Sequence, residues 1–574
     1  MKKSIERVVF VDKKELINNK YVAGVGIRAA LGMMAFCFNR FEQYKKYLRS
    51  KDGWINFSAG LMTENNSVAA TITFKDGKAS VRSGAENTEV LLIFENEEVL
   101  LSLATVPPNE VNNLILKNKL VVKGNFVYLS FFNLLMSVLL KDKQIKQLKE
   151  QKEKMSLPSL GDKTKSINFR KKEYLKATER DKFVKYLTDQ NLSDYSLEDF
   201  PRLVKFLNIH YTEKPTVCIE RPSILTDWFR ENGFEYKKDG TPWVAELRQA
   251  HAYKHLMENR KPIIRKDDLI AGTSTTKEIG VIMYPDACGP LIWGEILTFH
   301  ERHLNPYDID PNDVWKLTNE IFPFYFKRNV REWVRSAYDR PICQQLDERY
   351  AVNFLWKSVA ISHTILDYPK LLRLGLQGII KEIKSELKLD KEANQQKKDT
   401  LNAMILCCEG IIAYAHNLSK QAAKEAEKET DPKRKAELLK LAEICKKVPE
   451  NPCTTLDEAL NAIWIHWVAV HMESTNAGFS LGRMDQWLQP YFEADMKKML
   501  TDEDKEEYIK HAIEMVGCFY MRCTDHLPMV PDIGNYLFGG SSSDQAITLG
   551  GVTPEGEDAV NDMTYIYSSR LLKS

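Results

Sequence analysis

Residues 478–482 read Gly-Phe-Ser-Leu-Gly and match the G-x-S-x-G pattern in which serine hydrolases carry their nucleophile. A nucleophile at Ser480 would need a strand before it, a helix after it, and an acid and a histidine later in the chain. His511 and the pair Asp525-His526 are the candidates, but the stretch after Ser480 leaves little room for the rest of such a fold. We keep a serine hydrolase as a remote alternative and interpret the segment as a tight loop after a buried helix.

Two histidines, His251 and His255, have the i, i+4 spacing that places both rings on one helix face, as metal ligands require. The glutamate of H-E-x-x-H is missing between them, so we interpret both as histidines at the surface or core edge. The segment Gly24-Val-Gly-Ile-Arg lacks the third glycine of a dinucleotide fingerprint. The sequence also lacks a Walker A motif, a C-x-x-C pair and a C-x-x-x-C-x-x-C motif, so it predicts no metal site.

The charges of the 574 residues nearly cancel, with 81 Lys and Arg against 79 Asp and Glu. A nucleic-acid-binding chain normally carries a basic excess, so that class is not expected. The apolar stretch 22–38 is interrupted by Arg28, and the run 126–140 is shorter than the ~20 residues of a membrane span. The ten cysteines have no paired spacing, and the start lacks the apolar core of a signal peptide. We therefore expect a cytoplasmic protein with no nucleic-acid partner and no transmembrane segment.

The elements that would position a site fall into two regions, of which the first is residues 20–140. The β-rich runs Val68–Phe74 and Ala79–Ser83 flank Asp76-Gly77, which is a strong hairpin signal. Val90–Phe94 predicts a further strand, and the apolar run 126–140 predicts a final helix. These patterns predict a small α/β domain with one open sheet and an apolar interior.

The order of segments in this region is that of sterol-carrier-protein-2-like (SCP2-like) domains. The matching segments are Val90–Phe94, Leu101–Pro108 and Lys119-Leu-Val-Val-Lys-Gly-Asn125, so residues 20–140 resemble that family. The resemblance implies an apolar tunnel that can hold a lipid-like ligand. The other interpretation is an ordinary α/β domain whose apolar run is only core.

Residues 141–215 are rich in charge, and we interpret them as a charged helical linker. From residue 216 onward helices dominate, for example where apolar side chains recur with helical spacing between Leu401 and Ala415. Thr455-Leu-Asp-Glu458 reads as a capping box before a helix that is apolar on all sides. Ala546–Val552 reads as a strand. Helices that alternate with short strands predict a barrel or sheet wrapped in helices.

Three segments of this second region carry a family signature. Residues 473–486 read ESTNAGFSLGRMDQ, residues 549–565 read LGGVTPEGEDAVNDMTY, and residues 363–372 read HTILDYPKLL. A further match begins at Glu220-Arg-Pro-Ser. The segments stand in the order of the pyruvate formate-lyase-like glycyl radical enzymes, so residues 216–574 resemble that family.

The resemblance implies the helix-rich first half of a ten-stranded β/α barrel. In this family a radical-SAM activating enzyme installs a radical on a glycine, which then generates a thiyl radical on a cysteine. The thiyl radical abstracts hydrogen from a small-molecule substrate inside the barrel, with no metal at the site. The implied partners are the substrate and the activating enzyme, and this chain is expected to bind no cofactor of its own.

The two radical positions of the family have no counterpart in the sequence. The glycyl motif R-V-x-G-[YF] does not occur, and the thiyl cysteine would follow the segment Asn561–Tyr565 by some tens of residues. We therefore assign no catalytic residue in this chain. We expect a truncated or split glycyl radical lyase, inactive alone, that forms a homodimer or joins a complementary C-terminal half. The alternative from another class is a non-catalytic lipid-binding or scaffold protein acting through residues 20–140.

The signatures also supply candidate substrate-binding residues. In the family's polyol and diol dehydratases the loop reads E-S-N-G-H-S, and its histidine and serine hold substrate hydroxyls. The same positions here are Ala477 and Gly478, which cannot bond a hydroxyl, whereas His363 matches a residue of the dehydratases. We expect cleavage of a C–C or C–X bond in a small carboxylate, aryl carboxylates included. The candidates are Ser474, Asn476, Ala477, Gly478, Ser480, Arg483 and His363.

We expect four of these candidates to face or support the barrel interior. Ser474, Asn476, Ser480 and Arg483 are polar and directly follow an apolar helix, so they must find partners or water. A substrate cavity supplies both. The other interpretation is that they cap the helix and that Arg483 makes a structural ion pair.

Overall fold

A computed structural model describes most of the chain, with gaps between the described ranges. The first region holds a five-stranded sheet and the helices that cover it, and the second is helix-rich around a small parallel sheet. The described residues are 20–103, 106–154, 182–187, 195–349, 365–390, 392–474, 479–529, 531–532 and 545–568.

The first region begins with a long helix and continues as a mixed sheet. Its helices are α1 (Lys20–Arg40), α2 (Glu42–Lys45), α3 (Glu97–Ser102), α4 (Pro108–Leu116) and α5 (Phe126–Lys154). Its strands are β1 (Arg49–Ser50), β2 (Gly53–Trp54), β3 (Phe57–Thr63), β4 (Ala69–Lys75), β5 (Lys78–Ser83), β6 (Val90–Phe94) and β7 (Leu120–Gly124).

The hairpin predicted around Asp76-Gly77 is present as β4 and β5. Asp76 and Gly77 both have positive φ, 51° and 72°, as the two central residues of a type I′ turn require. The sheet order is β5-β4-β3-β6-β7, with β3 and β6 parallel and every other pair antiparallel. The sequence therefore predicted the hairpin and the strand Val90–Phe94 correctly.

Helix α5 joins the two regions. Its apolar first half is buried, where the ring of Tyr128 stacks on Phe326 at 4.6 Å between centroids and Phe131 lies 4.5 Å from Trp293. Asn125 donates to the carbonyl of Phe326 at 2.6 Å. The interior of the first region is thus completed by side chains of the second. Binding of a lipid-like ligand there stays a prediction.

The second region is built from short and long helices that enclose three parallel strands. Its helices are α6 (Pro201–Thr212), α7 (Glu220–Asn232), α8 (Ala245–Asn259), α9 (Pro285–Cys288), α10 (Pro311–Lys316), α11 (Val330–Ser336), α12 (Pro341–Glu348), α13 (Tyr368–Leu389), α14 (Gln395–Lys428), α15 (Pro432–Lys447), α16 (Leu456–Glu473), α17 (Met484–Met496), α18 (Asp502–Cys523) and α19 (Asp562–Ser568). Its strands are β8 (Thr216–Cys218), β9 (Gly280–Ile282) and β10 (His526–Pro528).

The three strands form a parallel sheet in the order β10-β9-β8. β9 is buried along its whole length, as expected for a parallel strand covered on both faces. The predicted strand Ala546–Val552 forms only isolated bridges, of which one pairs Ile547 with Gly482. The architecture is therefore mixed α/β and dominated by helices.

The segment 141–215 is helical at both of its described ends. Its first part continues α5 to Lys154, so no break falls at residue 140. Its last part contains α6, which buries Leu203 and Phe206 in the core. Between them, residues 155–181 and 188–194 lie outside the described residues. The described ends of this segment are therefore helices that continue into packed structure.

Helix α16 is buried on all sides, as its sequence predicted. The Thr455 side chain accepts a hydrogen bond from the amide of Glu458, which is the expected N-cap. The Glu458 carboxylate accepts from the amide of Thr454 instead of Thr455, so the second half of the capping box is displaced by one residue. The helix thus crosses the core with most of its side chains buried.

Helix α14 is, among the described helices, the one long and apolar enough to cross a membrane by length and composition alone. It packs closely on α8, since a Cβ atom on Gly410 would lie 3.0 Å from Cα of Lys254. Lys254 also pairs with Glu409 at 2.7 Å. We interpret α14 as a helix of the protein body, because the core helix of a folded domain meets the same criteria.

A buried carboxylate fixes the segment 182–187 to the start of α19. Asp562 accepts hydrogen bonds from the amides of Lys185, Tyr186 and Leu187 at 2.8 to 3.2 Å, and from Gln489 at 2.9 Å. Each bond to a charged acceptor contributes more than one between neutral groups. Asp562 therefore anchors a segment that is distant in sequence.

Replacing this carboxylate tests its contribution to stability. We expect Asp562→Ala to lower the free energy of unfolding by about 2–4 kcal/mol, because three amides lose their acceptor. Glu557→Gln is the matched control, since Glu557 contacts the same segment through an exposed ion pair with Lys182 at 3.3 Å. That pair contributes less than about 1 kcal/mol. Equal losses in the two variants, measured by urea unfolding, would contradict the assignment.

Candidate functional site

The candidate loop starts where α16 ends. Helix α16 closes at Glu473, and Ser474 leaves it in an extended conformation with φ −151° and ψ 166°. Ser474 and Ser480 are half-buried. Four of the predicted residues, Asn476, Ala477, Gly478 and His363, lie outside the described residues.

The carbonyl groups of the last turn of α16 are satisfied by side chains from other elements. Tyr253 on α8 donates its hydroxyl to the carbonyl of Ala469, and Tyr284 after β9 donates to that of His471, both at 2.9 Å. A helix end leaves carbonyls without intrahelical partners, and here His471 and Met472 are buried. The loop thus departs from a helix terminus that is held from two sides.

Arg221 completes this arrangement with a buried guanidinium. Its Nε donates to the carbonyl of Met472 at 2.8 Å, and its Nη2 donates to that of Glu473 at 2.7 Å. The guanidinium also forms a two-bond ion pair with Asp286, at 2.7 and 2.8 Å. Arg221 follows β8 and Asp286 follows β9, so the loop begins at the carboxyl edge of the parallel sheet. Substrate sites of parallel α/β folds lie at that edge.

The far end of the loop is fixed by Gly482 and Arg483. Gly482 has φ 68°, and a Cβ atom there would lie 2.5 Å from the ring of Trp487. Arg483 donates to the carbonyls of Gly550 and Val552 at 2.6 and 3.1 Å. Arg483 therefore links the loop to the 549–565 signature, and its role in substrate binding stays a prediction.

This geometry does not form the nucleophile elbow of a serine hydrolase around Ser480. In an elbow the serine itself occupies the strained strand-to-helix turn, whereas here the positive φ falls on Gly482. Ser480 instead bridges in parallel to Ile365. His511 bonds to Asp457 at 3.0 Å, and His526 packs on Trp467 at 5.0 Å between ring centroids.

The 549–565 signature is held by a buried carboxylate. Asp485 accepts from the amide of Gly550 at 2.7 Å and from the hydroxyl of Thr564 at 2.6 Å. Asn561 accepts from the amide of Thr564 at 2.9 Å. These residues carry much of the family signature, and they bond to backbone and to each other. Their function in this chain is to join the two signature segments.

Buried histidines lie beside the start of the loop. The ring of His471 is 3.7 Å from that of Trp467, 5.0 Å from that of His526 and 4.9 Å from that of Phe479. Burial lowers the pKa of His526 to about 3 and that of His466 to about 4. Burial, reinforced by His526, also holds the pKa of His471 well below its ordinary value. All three rings are neutral at pH 7.

The described residues contain no group of three or more His, Cys, Asp or Glu side chains that could hold a metal ion. His251 is exposed on α8, and its ring lies 5.9 Å from that of Trp243. His255 is half-buried and bonds to Asn259 through its ring nitrogen at 3.3 Å.

Sequence reasoning noted the segment Glu220-Arg-Pro-Ser but gave Arg221 no role, and it missed Tyr253 and Tyr284. Their partners lie some 190 to 250 residues away along the chain, at the end of α16. One signal was available for Arg221, since two charged residues, Glu220 and Arg221, follow the short apolar run Val217–Ile219. The tyrosines carry no such local signal.

Comparison with known proteins agrees with this geometry. The family model described as "Pyruvate formate lyase-like" matches residues 199–568, which is more than half of the chain. The chain therefore belongs to the pyruvate formate lyase-like family. The match begins at residue 199, somewhat before the limit of 216 that the sequence indicated.

Relatives of known structure or function cover a similar share of the chain. The isethionate sulfite-lyase of Nitratidesulfovibrio vulgaris is 31% identical over 381 residues, which are 64% of this chain and 44% of the relative. The structure of the B12-independent glycerol dehydratase of Clostridium butyricum has a TM-score of 0.58 and 28% identity, over 65% of this chain and 46% of that one. A glycyl radical enzyme from Archaeoglobus fulgidus has a TM-score of 0.55 and 26% identity, over 64% and 45%. The chain thus spans about half the length of these relatives.

Two variants separate the effect of the carbonyl contacts of Arg221 on the loop from the effect of its ion pair with Asp286 on stability. We expect Arg221→Met to lower the free energy of unfolding by about 3–5 kcal/mol, because it leaves a carboxylate without its partner. The double variant Arg221→Met/Asp286→Leu removes both charges and should recover much of that loss. Amide hydrogen exchange in residues 479–483 should stay faster than in the wild type in both variants. Wild-type exchange in the double variant would show that the carbonyl contacts do not fix the loop.

The neutral histidines predict a pH dependence of stability. A histidine whose folded pKa is lowered binds its proton mainly in the unfolded state, so stability falls as the pH drops below about 6.5. For His526, with a folded pKa of about 3, the loss between pH 7 and pH 5 is about 2 kcal/mol. We expect His526→Phe to reduce the difference between the two pH values by that amount in urea unfolding. His300→Gln, at an exposed site, is the control, and an equal reduction there would contradict the interpretation.

Proposed function

We propose that this chain is the N-terminal part of a glycyl radical lyase of the pyruvate formate-lyase type. Residues 199–568 would form the substrate-binding half, and the radical-bearing cysteine and glycine would come from sequence that follows this half in family members. The observation that carries the proposal is the position of the signature loop. A buried Arg221 fixes it at the carboxyl edge of three parallel strands, in the region that matches the family.

The proposed substrate is a small carboxylate, with aryl carboxylates included, that undergoes C–C or C–X cleavage. Support comes from the apolar pair Ala477 and Gly478, which occupies the two loop positions whose side chains hold substrate hydroxyls in the dehydratases. One relative acts on isethionate, a hydroxyl-bearing sulfonate, which supports the negative charge of the substrate and not the absence of a hydroxyl. Ser474, Asn476, Ser480, Arg483 and His363 would line or support the cavity.

The proposed partners follow from the chemistry. A family enzyme needs a radical-SAM activating enzyme to place the radical on its glycine, and this chain offers no glycyl motif of its own. A complementary half, in a separate polypeptide or in continuous sequence, would supply that motif and the thiyl cysteine. Without a thiyl radical no group in residues 1–574 can break an unactivated C–H bond.

An activation experiment tests whether the radical residues come from a complementary half and not from this chain. We expect residues 1–574, incubated anaerobically with a glycyl radical activating enzyme and S-adenosylmethionine, to give no doublet in the electron paramagnetic resonance spectrum. Addition of a polypeptide with the family's cysteine and R-V-x-G-[YF] segments should give both the doublet and turnover. The added polypeptide alone with the activating enzyme is the control for turnover. A strong doublet from residues 1–574 alone would overturn the proposal.

The substrate class is tested separately by ligand binding. We expect small carboxylates and isethionate to raise the melting temperature of the chain and glycerol to leave it unchanged, since bound ligand stabilises the folded state. The variant Ala477→His/Gly478→Ser introduces the dehydratase pair and should gain a response to glycerol. A response of the wild type to glycerol, with none to any anion, would contradict the carboxylate assignment.

A further inference from the structure

Five bases lie on one outer surface of the first region, at the end of α2, in the turn after it and at the hairpin of β4 and β5. They are Lys45, Lys46, Arg49, Lys75 and Lys78, of which Lys45 is half-buried and the others are exposed. No carboxylate of the described ranges forms an ion pair with any of them, whereas the neighbouring Lys51 pairs with Asp227 and Glu320. We call these five residues the cationic patch.

The ring of Trp54 brings the two segments of the cationic patch together. The Nζ atom of Lys45 lies 5.4 Å from the centroid of this ring, and the guanidinium of Arg49 lies 4.7 Å from it. The hairpin turn contacts the same ring, since a Cβ atom on Gly77 would lie 2.8 Å from it. Bases that are some 30 residues apart in sequence therefore share one surface.

The hairpin bases are placed where they oppose folding. Lys75 and Lys78 stand directly opposite each other in the register of β4 and β5. Like charges at directly opposed positions destabilise an antiparallel pair. Bases that repel one another and lack acidic partners are favourable only when an anionic partner lies against them.

We propose that the cationic patch binds the surface of a bilayer that contains anionic phospholipids. Aromatic rings beside bases are the composition of the membrane interface, where tryptophan and tyrosine lie at the level of the headgroups. The Nζ atom of Lys46 lies 5.4 Å from the ring centroid of Tyr47 and 5.5 Å from that of Trp315. The side chain of Trp315 is 42% exposed. Each base near an anionic bilayer contributes a factor of about five to the binding constant.

Two features favour a bilayer over a nucleic acid. Single-stranded nucleic acids stack their bases on aromatic side chains, but two cations of the chain itself lie over the ring of Trp54. An exposed apolar ring also continues the patch. Phe36 is 55% exposed and lies 6.0 Å from Phe41, which lies 6.2 Å from Tyr44 beside the first base. A bilayer gains from burying such a ring, and a phosphate backbone does not.

Co-sedimentation of the full chain with lipid vesicles tests the proposal. We expect binding to mixed phosphatidylglycerol and phosphatidylcholine vesicles, none to phosphatidylcholine alone, and release by high salt. Lys75→Glu/Lys78→Glu should lower the binding constant at least about 25-fold, because two attractive charges are lost. Its melting temperature should equal that of the wild type, because two opposed glutamates repel each other as two lysines do.

The matched control is Lys117→Glu/Lys119→Glu. Both lysines are exposed and directly precede β7, the edge strand on the opposite side of the sheet from β5. The control makes the same change in net charge, so its binding to anionic vesicles should fall much less. Equal losses in the two double variants, or wild-type binding to neutral vesicles as tight as to anionic ones, would overturn the proposal.

A neutral substitution distinguishes a bilayer from a nucleic acid. We expect Phe36→Ser to weaken binding to anionic vesicles about fivefold, since it removes an apolar ring of which half is exposed. The wild type should bind a single-stranded oligonucleotide more weakly than the vesicles. Tighter binding to the oligonucleotide, or vesicle binding by Phe36→Ser as tight as that of the wild type, would overturn the assignment to a bilayer.

Discussion

The contact between Arg221 and the end of α16 is the constraint on which the candidate site depends. A helix as apolar as α16 can lie in the core, but its last carbonyls then end in the core as well. His471 and Met472 are buried, so donors for these carbonyls come from buried side chains. Arginine offers several donors in one plane, and its charge is tolerated only because Asp286 pairs with it. The hydrogen bonds that terminate α16 thus connect it to α7, which carries Arg221, and to Asp286 after β9.

On the other side of the loop, buried carboxylates supply hydrogen-bond partners to backbone groups, as Arg221 does at the end of α16. Asp485 and Asp562 bind backbone amides of segments that have no regular secondary structure, near Gly550 and near Lys185. An irregular segment can be held in the core only if its amide groups find acceptors, and a carboxylate accepts several at once. The charged signature residues Asp485 and Asp562 therefore stabilise the backbone.

The sequence predicted the elements that depend on neighbouring residues and missed the features that depend on contacts between residues far apart in the chain. The hairpin at Asp76-Gly77 and the cap at Thr455 depend on neighbouring residues, and both are confirmed. The strand at 546–552 was predicted from β-branched residues, but pairing partners are available at isolated positions only. Helix α12 is amphipathic, yet its pattern does not tell which face turns inward. That choice is made by Arg335 and Gly124, which lie 211 residues apart along the chain.

The first region supports the second through a shared core. Tyr128 and Phe131 of α5 stack on Phe326 and Trp293, so neither region buries its aromatic side chains alone. The first region thereby covers the side of the second region on which Phe326 and Trp293 lie, and Arg331 of α11 lies over the ring of Phe126. The signature loop begins at the carboxyl edge of the parallel sheet, where Arg221 and Asp286 hold the end of α16. The packing of the first region against α11, Phe326 and Trp293 thus stabilises that side of the second region by removing its apolar surface from water.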